Sequence, residues 1–146
     1  MIKRLITSTL LTICTLTQAQ AATVTIKNDL GGSVQKMSKE VIKMIYNGDK
    51  VVVDGLCHSA CTMHLALNEN LCVTPEAVFS FHAVTSIFPP TQKASDRMTQ
   101  GMVLFYPEGV QRWFWDNVGL RNYYGAVQMT GEELIEVSGG IYSFCD

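Results

Sequence analysis

Residues 54–65, "DGLCHSACTMHL", place two cysteines, two histidines, a serine and a threonine directly behind the apolar run Val51–Val53. Several chemistries use such residues. Cys57, His58, Cys61 and His64 could hold zinc through thiolate and imidazole. Cys57 or Cys61 could act as a thiol nucleophile if kept reduced. Ser59 could attack a carbonyl if a base took its proton. Finally, the cysteines could be plain crosslinks. The zinc reading lacks a Cys-x-x-Cys pair. On a helix starting near Ser59 its four ligands would also spread over more than one face.

The elements that must position these groups follow from patterning. "TVTIKND" (23–29) alternates and reads as a strand. Gly31-Gly32 break it, and Ser33 is placed to cap a helix. Val34, Met37, Val41 and Met44 recur at helical spacing, and "NGD" (47–49) ends the helix. "KVVVD" (50–54) is a buried strand of parallel-sheet type. Gly55 is expected to turn the chain into a helix from Ser59. "LCV" (71–73) and "AVFSFHA" (77–83) are strands on either side of Thr74-Pro75. Beyond a loop broken by Pro89-Pro90, a helix capped by Ser95 is expected. A second should start at Pro107, with Val110, Trp113, Phe114 and Val118 facing the core. A short helix at 131–140 and a terminal strand, "IYSFC", complete the chain.

The order β-α-β-α-β-β predicts an α/β fold of repeated β-α-β units, with a mainly parallel sheet flanked by helices. Sites in such sheets form where strands run into helices. The turns at Gly31-Gly32 and at 55–59 are both of this kind. A serine at the second turn would meet the free N–H groups of a helix start. Of three candidate bases, His58 is adjacent to Ser59 and should point away, and His64 lies down the helix. His82 shares a strand face with Val78 and Ser80, and it alone can approach Ser59 through the fold.

Three pieces in order, "IKNDLGGSV", "DGLCHSACTMHLAL" and "LCVTPEAVFSFHA", resemble the Clp protease proteolytic subunit (ClpP) and its wider ClpP/crotonase superfamily. The likeness runs from Thr25 to Ala83. It implies Ser59 as nucleophile and His82 as base, with an oxyanion hole from the N–H groups of Ala60 and Gly31. The family's third residue is an aspartate. The matching position here holds Asn122, which can orient an imidazole but brings no charge. Asp116, Glu132 and Glu133 are poorer candidates, on an exposed helix face and in a first helical turn. The resemblance does not extend to the double ring or to an ATPase partner.

The chain begins with Lys3-Arg4, an apolar stretch from Leu5 to Leu16, and Ala19-Gln20-Ala21. That is the form of a secretory signal peptide over residues 1–21. A single domain over 22–146 is then expected. Removing Lys3 and Arg4 from 11 basic residues leaves 9 against 13 acidic ones, a formal charge of −4. With no basic patch, nucleic acid is excluded as a partner. A peptide or protein substrate, no membrane contact after cleavage, no metal and no cofactor are expected. Cys14 leaves with the leader. The even number that remains, in an oxidising compartment, predicts two disulfides. Cys61–Cys72 with Cys57–Cys145 is the favoured pairing. The expected function is an exported serine hydrolase, most simply a peptidase in a bacterial periplasm. The alternative is a non-catalytic binding or scaffold domain on the same fold.

Overall fold

The computed structural model describes residues 21–146. The expected signal peptide over residues 1–21 lies outside them, apart from Ala21. Strands β1 (Thr23–Asp29) and β2 (Lys50–His58) are joined by helix α1 (Val34–Asn47). A 3-10 helical segment (Ser59–Asn70) leads to β3 (Leu71–Val73) and β4 (Val78–Phe81). Helices α2 (Gln92–Val103) and α3 (Glu108–Asn117) follow, then β5 (Val127–Thr130), α4 (Gly131–Val137) and β6 (Ser143–Phe144).

The capping chemistry follows the side chains. Ser33 Oγ accepts from Lys36 N–H at the start of α1, and Gly48 closes that helix in the left-handed conformation at φ 70°. Thr130 and Glu133 form a reciprocal capping box on α4. Helix α2 starts earlier than expected. Thr91 caps it through Ala94 N–H, while Ser95 is buried and accepts from Ser86 N–H. Pro107 sits at the cap position of α3.

The sheet is built around β2. β1 lies along one edge, parallel to it. The other edge is shared: Val51–Val53 pair with β3, and Leu56–His58 pair with β4. β6 extends the sheet beyond β3, and β5 extends it beyond β4 as the one antiparallel neighbour. β5 was not expected from the sequence, because "VQMT" alternates over only four residues.

Gly55 corrects a second expectation. It lies inside β2 rather than in a turn, at φ 143°. A Cβ there would stand 2.2 Å from the Lys27 carbonyl oxygen. Glycine is required because β1 bulges against β2 between Ile26 and Asn28. The turn therefore falls at Ser59, four residues later. The core is continuous: Val51, Val53 and Cys57 of β2 pack with Met37 and Val41 of α1, Phe79 and Phe81 of β4, and Val110 and Phe114 of α3. No helix among the described residues is long and apolar enough to cross a membrane.

Candidate active site

The parallel pairing of β2 and β4 builds the site. Cys57 aligns with Phe79 and His58 with Ser80. Ser59 therefore leaves β2 level with Phe81, the last residue of β4, and His82 follows directly after it. Ser59 is half-buried and has φ 59°, a left-handed conformation that a non-glycine residue seldom adopts. Such strain concentrates at functional turns.

The turn after β1 packs onto this one. A Cβ on Gly31, at φ 78°, would lie 2.6 Å from His58 O, 2.7 Å from Ala60 N and 2.9 Å from Ser59 Cβ. Only glycine lets the two turns approach so closely. The Gly31 N–H itself is engaged: it donates to Asp29 Oδ1 at 2.7 Å. The expectation that Gly31 supplies an oxyanion donor is thus corrected for this conformation. Its neighbour Gly32, at φ 137°, makes no hydrogen bond through its N–H among the described residues. The Ala60 N–H belongs to the free first turn of the helical segment.

His82 Nδ1 lies 2.8 Å from the Ala83 carbonyl oxygen. A carbonyl oxygen only accepts, so Nδ1 carries a proton, and in the neutral ring the lone pair is then on Nε2. This is the tautomer a general base needs. No hydrogen bond joins Ser59 to His82, and no carboxylate among the described residues bonds the imidazole. Asn122 stands close by but acts through its backbone. Its carbonyl accepts from Ala83 N–H at 2.7 Å. Its side-chain Oδ1 accepts from Gly125 N–H at 3.0 Å, closing a local turn. The side chain does not orient His82. Asp116 and Glu132 are exposed, and Glu133 is engaged in its capping box.

His58 is not the bystander its adjacency to Ser59 suggested. Its ring stacks on His82, with centroids 5.0 Å apart and planes 23° from parallel. Its Nδ1 is 2.9 Å from Ser80 Oγ. The contact follows from the register: His58 aligns with Ser80 across the β2–β4 pair, and His82 lies two residues further along β4's direction. Burial, and next the neighbouring His82, lower the His58 pKa from 6.5. The period-two run "FSFH" carried the signal for this cluster, because Ser80 and His82 must share a face.

The cysteines pair as Cys57–Cys61 and Cys72–Cys145, correcting both expected bonds. β3 lies between β2 and β6, which puts Cys57 and Cys145 at least two strand spacings apart, about 9.6 Å. A disulfide cannot reach across that gap. Cys145 instead follows β6 next to Cys72, with Cα atoms 5.1 Å apart. The turn at Ser59 folds Cys61 back to within 5.3 Å of Cys57, Cα to Cα. The ligand atoms of His64, Cys57 and Cys61 all lie within 4.8 Å of one another. With both sulfurs in a disulfide, neither can serve as a thiolate ligand. His64 Nδ1 donates to the Cys61 carbonyl oxygen at 2.8 Å.

A cleft of about 500 Å³ adjoins the turn at Gly31-Gly32, and Ser59, Ala60 and His82 are not among its lining residues. Gly32 and Val34, which follow Gly31, line one side. Val84, Ile87 and Phe88, which follow His82, line the other with Met98. Its walls are mostly apolar, as in sites that take a substrate side chain.

The fold is an α/β fold of the ClpP-like class. A mutant of ClpP1 from Listeria monocytogenes superposes with a TM-score of 0.57 at 17% identity, over 87% of this chain and 76% of that one. A Plasmodium falciparum peptidase superposes with a TM-score of 0.53 at 6% identity, over 82% of this chain and 75% of that one. At such identities the likeness is one of fold. No family model matches the sequence, and no curated protein matches it.

Proposed function

We propose that the protein is an exported serine hydrolase of peptidase type, with its domain spanning residues 22–146. Ser59 is the nucleophile and His82 the general base. The observation that carries this reading is Ser59 itself: a half-buried serine at φ 59°, on a strand-to-helix turn beside a histidine in the base-competent tautomer. Ser59 Oγ attacks the substrate carbonyl carbon while His82 Nε2 takes its proton. The C–N bond then breaks as His82 returns that proton to the leaving amine. Water, deprotonated by the same imidazole, then attacks the acyl carbon, the bond to Ser59 Oγ breaks, and His82 returns the proton to Oγ. The N–H groups of Ala60 and Gly32 are the donors available to the oxyanion. The apolar cleft accepts a substrate side chain. Two disulfides fit an oxidising compartment, for which the periplasm is our assignment.

A second reading, a non-catalytic binding domain, draws on the open Ser59–His82 pair and the absence of a carboxylate on His82 among the described residues. A fluorophosphonate probe separates the two. Ser59 Oγ displaces fluoride at phosphorus only if activated. Labelling is expected for the oxidised wild type and should fall at least about 1,000-fold in Ser59→Ala and about 100-fold in His82→Ala. A folded wild type that stays unlabelled from about pH 5 to 9 overturns the enzymatic reading and leaves the binding domain.

A further inference from the structure

The Cys57–Cys61 disulfide closes around the turn that carries Ser59. Cys57 is the penultimate residue of β2 and Cys61 the third residue of the helical segment. His58, Ser59 and Ala60 form the arc between them. Both cysteines are fully buried. A crosslink across four positions removes about half as much freedom from the unfolded chain as the Cys72–Cys145 bond does, so global stability is the lesser reason for it. What it encloses is the one strained residue at the centre of the site.

A second device holds the same residue from behind. Thr62 Oγ1 donates to the Ser59 carbonyl oxygen at 2.6 Å. A hydroxyl has a single hydrogen, so Tyr106 OH, 2.6 Å from the same Oγ1, must donate to it. Tyr106 packs edge-on to Phe81 and against Phe114. Burial raises the phenol pKa far above its usual value, so the donor is never lost in ordinary conditions. Disulfide, Thr62 and Tyr106 thus fix the backbone of Ser59 on both sides.

We infer that the Cys57–Cys61 disulfide, backed by Thr62 and Tyr106, is a positioning clamp that holds Ser59 in its left-handed conformation and so aims Ser59 Oγ and the Ala60 N–H. The clamp makes reactivity conditional on oxidation. Two thiols become one disulfide by passing two electrons and two protons to a disulfide-bearing oxidant, which leaves as a dithiol. Before that exchange the turn is free to relax to negative φ, and the nucleophile is misaligned. The chain then becomes a hydrolase only in the compartment that oxidises it. This rests on the nucleophile reading of Ser59, and the test keeps the two apart.

The inactivation rate constant and the apparent binding constant of the fluorophosphonate probe are measured for wild type, Cys57→Ala/Cys61→Ala and Cys72→Ala/Cys145→Ala. Folding is checked by circular dichroism. We expect the first double variant to lose about 100-fold in rate constant, with probe binding within about threefold of wild type. The second should melt earlier yet react within about threefold of wild type. Tyr106→Phe should lose about tenfold in rate constant. A folded Cys57→Ala/Cys61→Ala that reacts like wild type overturns the clamp. Should that variant not fold, Thr62→Val and Tyr106→Phe decide by the same rate constant, and unchanged rates in both overturn it. Should the wild type itself be unlabelled, the Ser59 carbon chemical shifts decide. A move to negative φ in the double variant supports the clamp although the nucleophile reading has failed, and retention of positive φ overturns it.

Discussion

His58 shows how a residue beside the proposed nucleophile can join the same side-chain cluster. Its ring lies against His82, and burial disfavours its charged form. The lowered folded-state pKa means the unfolded chain binds the proton more readily. His58 therefore contributes stability that is present above about pH 6.5, the unfolded value, and is lost as pH falls through the lower folded value. We expect His58→Gln to flatten the decline of stability with acidification in this window, as read by urea unfolding at successive pH values. A decline as steep as wild type would show that another group controls it. Asn122 makes the opposite case. Its side chain holds Gly125 N–H, whereas the contact next to His82 is made by its backbone. Asn122→Ala should leave the probe-labelling rate within about threefold of wild type, since every contact near the base survives. A loss near that of His82→Ala would restore Asn122 as an orienting residue.

The strand β2 is the element on which the site depends. Its first half binds β3 and its second half binds β4, so it alone sets the register that brings Ser59 beside His82. Gly55 lies where these halves meet, and its missing Cβ admits the Lys27 carbonyl of β1. Gly55→Ala adds a carbon into backbone and imposes a strained φ together. The expected cost is about 3 kcal/mol, measured by chemical denaturation. A cost under about 1 kcal/mol would mean β1 moves aside freely. "VVV" announced a buried strand, but its continuation to His58 was hidden by Gly55, which as a lone residue reads as a turn. Helix α1 was legible to the residue because cap, stripe and terminal glycine agreed. β5 was not, because its alternation runs over only four residues and the strand is held by cross-strand pairing with β4.

Across the whole molecule the two disulfides do different work. Cys72–Cys145 spans 73 positions and ties the terminal strand to β3. In the chain-entropy picture such a loop contributes about 4 kcal/mol, against about 2 kcal/mol for the four-position loop of Cys57–Cys61. Cys72→Ala/Cys145→Ala should lower Tm by on the order of 15 °C in a thermal melt. A shift under about 3 °C would mean that the tail is held by Tyr142, whose hydroxyl donates to the Leu65 carbonyl at 2.6 Å. The fold places this chain among ClpP-like structures across most of its length. The same architecture hosts many chemistries, so the activity must be read from the turn at Ser59 and not from the sheet.

By itself the sequence determined the α/β class, the order of the major elements and the presence of an even set of crosslinks, whereas setting Ser59 with His82 also drew on a family resemblance. The first three are local or periodic, written in caps, stripes and spacing. Only the tertiary structure decided which cysteines meet, that His58 stacks on His82, that Gly31 packs two turns together while its N–H is engaged by Asp29, and that the Asn122 side chain turns away from the base. Those outcomes depend on which strands become neighbours and on one left-handed residue, Ser59. A chain of L-residues carries no local sign of such a conformation, because the surrounding contacts, and not the propensity of serine, hold it there.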